Sequence, residues 1–170
     1  MLNVTGLKSP NTPFAETDLI EVQRALGIKL PAAYVELMKI WNGGYLRPSY
    51  EVPLKGNVPA ELDYYLRDGF WGINSIAGIV TDSKSVHSIF DAAKLAHEEW
   101  GIPKEVIPID GDGHTWVALD YRNKPEPEVV FFATDEKQSF VLAANFDDFI
   151  MRLIPYDEVF DRDGNVIYAP

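Results

Sequence analysis

Asp110-Gly111-Asp112-Gly113-His114 is the densest run of chemistry-bearing residues in the chain, and its alternating carboxylates could converge on one cation. A calcium loop also needs a glycine at its sixth position and a bidentate glutamate at its twelfth. Thr115 and Tyr121 occupy those places, so the run reads as a turn. Asp161-Arg162-Asp163-Gly164-Asn165 reads as a second turn of the same kind. His97-Glu98 begins like a zinc-protease helix, but Gly101 stands where the second histidine belongs. Gly111-x-Gly113 leads towards a strand, with Trp116 at the sixth position, and so is not a dinucleotide fingerprint. Ser75 lies between Gly72 and Gly78 without a nucleophile elbow. The three histidines are scattered singly, and the absence of cysteine removes thiolate nucleophiles, disulfides and sulfur-ligated zinc. These residues imply no enzyme, no metal and no cofactor.

Charge is more informative. Residues 91–170 hold 7 basic and 17 acidic side chains, a difference of −10 within a chain whose net charge is −11. Such a field repels phosphate backbones and anionic lipid and attracts basic partners, so direct nucleic-acid or membrane binding is not expected. The N-terminal residues show no secretion signal and no stretch is apolar enough to span a bilayer, which makes the cytoplasm the expected location. With 46% hydrophobic and 12% aromatic residues in 170, one compact domain is expected.

The elements that must position these residues follow from periodicity. Asp18 and Glu21 have capping-box spacing ahead of a helix over about 17–26, which Gly27 stops. Pro31 opens a second helix whose apolar stripe, Tyr34, Leu37, Met38 and Trp41, ends at Asn42-Gly43-Gly44. A strand and an irregular loop follow to about Pro59. The aromatic run from Tyr64 to Ile73 predicts another strand, with most of Tyr64, Tyr65, Phe70 and Trp71 in the core. Ile89, Ala93, Ala96 and Trp100 define a third helix over about 85–100 that Gly101 ends. Val106–Asp110 and Thr115–Tyr121 form a hairpin around the glycine turn, and strands at 129–133 and 139–144 continue it. Asn145 caps a last helix to Pro155, with Asp147 and Asp148 at its positive end. A tail over 155–170 predicts a small hairpin around Asp163-Gly164. The fold class is therefore α+β, a single domain with a central antiparallel sheet packed by two N-terminal helices, a middle helix and a C-terminal helix.

Two passages carry a family resemblance. Leu26-Gly27-Ile28-Lys29-Leu30-Pro31-Ala32-Ala33-Tyr34 leads to Trp41-Asn42-Gly43-Gly44, and Ile107-Pro108-Ile109-Asp110-Gly111-Asp112-Gly113 leads to Trp116-Val117-Ala118-Leu119-Asp120. Together with Asn145-Phe146-Asp147-Asp148-Phe149 they resemble the SUKH superfamily, which groups yeast cell-wall-synthesis regulators with bacterial immunity proteins, over about 17–153. The resemblance implies a non-enzymatic domain that recognises another protein. In bacterial members that partner is a toxin, frequently a nuclease domain with a basic surface, which the protein binds and neutralises. A regulatory or scaffolding adaptor is the alternative. By position, the residues expected to meet the partner are Trp41, Asn42, Gly43, Gly44, Tyr64, Trp71, Asp110, Asp112 and Asp120, together with the Gly44–Gly69 segment.

Overall fold

The structure, a computed structural model, describes residues 1–66, 68–81 and 87–169. Helix α1 (Glu16–Leu26) and helix α2 (Ala32–Ile40) are joined by a sharp reversal, in which Gly27 adopts φ 69° and donates its N–H to the Arg24 carbonyl. Asp18 is not the cap of α1. It sits one turn inside, and its carboxylate accepts the Ala15 N–H at 2.7 Å, satisfying an amide that the helix leaves open. Strand β1 (Gly44–Pro53) follows, and then a short helix α3 (Asp63–Leu66).

Helix α3 corrects the expectation of a strand from Tyr64. Leu62 and Leu66, four residues apart, are both buried, and this helical spacing lies hidden within the aromatic run. Strand β2 therefore begins only at Phe70 (Phe70–Ile76). As a result none of the four aromatic residues is fully buried. Tyr64 is 78% exposed, while Tyr65 and Trp71 pack at the margin of the core against Phe131.

Helix α4 (Ile89–Glu99) is capped by Ser88, whose hydroxyl accepts the Asp91 N–H. Residues 85 and 86 of the expected third helix lie outside the described residues. Strands β3 (Val106–Gly111), β4 (Thr115–Asp120), β5 (Glu128–Ala133) and β6 (Gln138–Ala143) form consecutive antiparallel hairpins, at the places their sequence runs predict. Asn145 caps helix α5 (Phe146–Arg152), accepting the Asp148 N–H at 2.8 Å. A two-residue strand β7 (Ile154–Pro155) and helix α6 (Tyr156–Val159) lead into the tail. The expected tail hairpin is reduced to a single bridge between Phe160 and Val166, because Tyr156–Val159 turns helical and leaves too few extended residues to build a ladder.

The fold class is α+β, as expected, but the strands form two antiparallel sheets instead of one central sheet. One has the order β2-β1-β7 and the other β3-β4-β5-β6. Their edges meet where the Ala77 N–H donates to the Ile109 carbonyl at 2.8 Å. A large core fills the space between the two sheets and α1, α2 and α5, centred on Tyr34, Phe131, Phe146 and Phe149. Tyr34 is fully buried, and its hydroxyl donates to the Ala77 carbonyl. A smaller apolar cluster, including Ala96, Ile102, Trp116, Ala118 and Phe132, seals α4 against the opposite face of the four-stranded sheet. Both faces of that sheet are thus covered, which explains the unbroken apolar runs in β4 and β5. No helix among the described residues is long and apolar enough to cross a membrane.

Candidate functional site

Where the two sheets part, an open groove of about 420 Å³ runs between the outer edge of β2 and the β3–β4 turn. Trp71, Gly72 and Asn74 form one wall, Asp110 and Asp112 the other, and Tyr45 stands at one end. Asp110 is the joint between the walls. Ile109 is an extra residue in the β3–β4 register, and the shift it causes turns Asp110 towards β2. There Asp110 Oδ1 accepts the Ser75 hydroxyl at 2.5 Å and Oδ2 accepts the Asn74 N–H at 3.1 Å. The carboxylate thereby stands in for a backbone acceptor at this strand edge. Burial pushes the Asp110 carboxyl above the usual carboxylate range, and the Ser75 and backbone hydrogen bonds offset this only in part. Behind Asp110 a smaller chamber of about 200 Å³ reaches Asp91 and Leu95 on α4.

Asp112 is exposed at the tip of the turn. The turn itself depends on glycine. Gly113 has φ 123°, and a Cβ there would run into the Trp100 ring, so the loop lies directly on the end of α4. Tyr45 is 56% exposed, with its ring edge-on to His87 at 4.3 Å between centroids, and burial lowers the pKa of His87. Past Tyr45 the surface continues into a broader hollow flanked by Lys8 and Arg47.

Among the described residues, the groove brings together no serine, histidine and aspartate relay. Ser75 donates directly to a carboxylate instead of to an imidazole, which is not the order of a serine, histidine and aspartate relay. Among the described residues, no group of three or more histidine, aspartate or glutamate side chains is placed to hold a metal ion. His97 Nε2 lies 3.0 Å from the Val106 carbonyl oxygen, and His114 Nδ1 lies 2.9 Å from Asp135. What the groove offers is an acidic wall, exposed aromatic surface and a sheet edge.

The residues singled out from sequence fall into three groups. Trp71, Asp110 and Asp112 are brought together in the groove, and Tyr64 is exposed but lies outside it. Trp41, Asn42, Gly43 and Gly44 are all interior. Asn42 is a buried connector: its side-chain amide donates to the Thr12 carbonyl at 2.8 Å and the Ile79 carbonyl at 3.0 Å, and accepts the Ile79 N–H at 2.8 Å. Its own carbonyl accepts Ser9 Oγ and Asn11 Nδ2, so the N-terminal arm is tied to the segment after β2 through one residue. Gly43 passes so close to Gly78 that a Cβ would lie 2.5 Å from the Gly78 nitrogen. Trp41 is buried, and its indole N–H has no hydrogen-bond partner among the described residues.

Asp120 is also interior, 5% exposed and held by the Arg122 guanidinium through bonds of 2.6 to 3.1 Å. Burial would raise the Asp120 carboxyl, but the hydrogen bonds and charge of Arg122 outweigh it and hold the group below the usual range. Tyr45 falls within the Gly44–Gly69 segment expected to meet the partner, whereas sequence reading missed Gly72 and Asn74. Tyr45 carried a signal, since it precedes Leu46 at the start of a strand whose alternation sends one of the two inward and the other outward. Gly72 and Asn74 carried none until the β3 bulge placed Asp110 against them.

Residues 13–152 match the model of the SMI1 / KNR4 family (SUKH-1). No curated protein matches the chain. Among solved structures, a crystal structure of a protein from Pseudomonas syringae pv. tomato aligns over 81% of this chain and 84% of its own, with 16% identity and a TM-score of 0.48. With the family model spanning both N-terminal helices, strands β1 to β6 and helix α5, this chain belongs to the SMI1/KNR4 (SUKH-1) family.

Proposed function

We propose that this protein is an immunity protein: it binds a cognate toxin inside the cell and neutralises it by occupying the toxin's basic surface with the groove between the two sheets. The observation that carries the reading is the groove itself, in which Asp110 and Asp112 stand opposite Trp71 beside Tyr45. Membership of the SUKH-1 family supports a protein partner, and the difference of −10 in residues 91–170 supports a basic one. A nuclease domain fits this chemistry, because its site must attract phosphate and therefore presents positive potential. Aromatic side chains supply contact area at low entropic cost, and the two acids supply steering and register.

The test is co-expression with the product of the neighbouring reading frame. Rescue of growth supports immunity, and a neighbour that is harmless alone rejects it. With the purified pair, the association rate should fall steeply between 50 and 300 mM salt, as expected when opposite fields draw the partners together. A salt-independent rate would reject the electrostatic version.

A further inference from the structure

The wall of the groove on the β2 side is made of backbone as much as side chain. Gly72 lines the groove although it has no side chain to project, and a Cβ built on it would point away, to 2.7 Å from Glu51 Oε1 on the other face of the sheet. Its contribution to the groove is therefore the strand edge. The pairing of β2 establishes which groups lie on that edge. Asn74 directs its N–H away from β1, into Asp110, and along a strand the backbone groups of alternate residues point the same way. The N–H and C=O of Gly72 thus face the groove. Among the described residues, Gly72 takes part in no backbone hydrogen bond outside its own strand ladder. The edge is open at Gly72 and closed at Asn74, where the Asp110 carboxylate occupies it.

We propose that the toxin is captured by strand addition: an extended segment of the partner pairs with the outer edge of β2 at Gly72 and carries a lysine or arginine that reaches Asp112. Three features select this occupant. An open edge with both N–H and C=O presented is a template for an extended chain, not for a helix. The facing wall carries Asp110 and Asp112, in a chain whose net charge is −11, which selects basic side chains on the incoming strand. Trp71, beside Gly72, gives an alternate side chain an aromatic surface on which to lie. The Asp110 plug then sets the register, because the ladder cannot extend past Asn74. This inference rests on the reading of the protein as a toxin binder and specifies how the same groove engages its partner.

The experiment uses the full chain and two capped octapeptides of alternating arginine and valine, one of them N-methylated at every second residue so that it cannot pair along that edge. Binding is followed by amide NMR and hydrogen exchange. The proposal expects saturable binding of the unmethylated peptide, slowing of Gly72 amide exchange by at least tenfold, and at least tenfold weaker binding of the methylated peptide. Asp112→Asn, at an exposed turn position, should weaken the peptide severalfold while leaving Gly72 protected at saturation. Equal affinity for the two peptides, or binding without protection at Gly72, overturns it, as does absence of binding. Protection of Gly72 that appears in the protein alone and grows with its concentration also overturns it, by assigning the edge to a second copy of the chain. The growth-rescue assay is independent. Rescue without peptide capture removes only strand addition, and capture without rescue removes only the immunity role.

Discussion

Replacing Glu51 with glutamine should stabilise the protein at alkaline pH and have little effect in mild acid. Glu51 lies in β1 opposite Gly72, is 7% exposed, and makes no hydrogen bond or ion pair among the described residues. Burial pushes its carboxyl up from the ordinary 4.5 to about 7. Because the folded-state value is the higher one, the protonated form is favoured by folding. Stability is retained below the unfolded value and lost as pH rises through the folded one. At about 1.4 kcal/mol per pH unit, the full loss is about 3 kcal/mol. Most of that loss is still absent at pH 5 and nearly all of it is present at pH 8. Glutamine has nearly the same shape and no charge at either pH. The stability difference between Glu51→Gln and the parent should therefore grow by about 2 kcal/mol from pH 5 to pH 8, less whatever relaxation lets water reach the carboxylate. Urea unfolding followed by tryptophan fluorescence at four pH values gives the curve. A difference that stays flat within about 0.5 kcal/mol, or that grows towards acid, would refute the argument.

Three further outcomes follow from the packing. Asn42→Ala should cost about 2–4 kcal/mol in urea unfolding, because it strands the Ile79 N–H and carbonyl in the interior and releases the arm at Thr12. Asp120→Asn should cost about 1–2 kcal/mol at pH 7 through loss of the charge-assisted Arg122 bonds. Since the folded-state carboxyl lies below its ordinary 3.8, that cost should shrink as pH falls through this range, measurable as converging melting curves. Gly113→Ala should destabilise by at least about 2 kcal/mol, lowering Tm by about 4–8 °C, because the new methyl meets the Trp100 ring at a backbone conformation that suits only glycine.

Much of the architecture was legible in one dimension because local chemistry and tertiary packing agree. Gly27 and Gly101 end helices where the apolar stripes end, and Asn145 caps α5 as its residue type demands. The β3–β6 hairpins stand out because their apolar runs are separated by glycine or charged turns. The failures come from interactions between segments distant in sequence. Leu62 and Leu66 signalled a helical turn, but the aromatic residues between and after them spoke for a strand. The division into two sheets is decided by how β2 meets β3, a contact between residues more than thirty positions apart. The Trp41–Gly44 motif is expected to meet the partner by its place in the family pattern, whereas all four residues are buried and Asn42 is spent on holding the arm and the Ile79 segment. Asp110 and Asp112 stand two residues apart in the sequence, but the wall they face could be known only after folding.

The four-stranded sheet has a core on one face and α4 on the other, so almost every side chain on β4 and β5 is committed to the interior. The sequence has little freedom to vary there, since each replacement would be felt as lost packing. The turn at Asp112, the Tyr45 surface and the β2 margin carry no such burden. The molecule is divided into a part that resists drift and a part that can be rewritten, and replacements should be tolerated chiefly in the second.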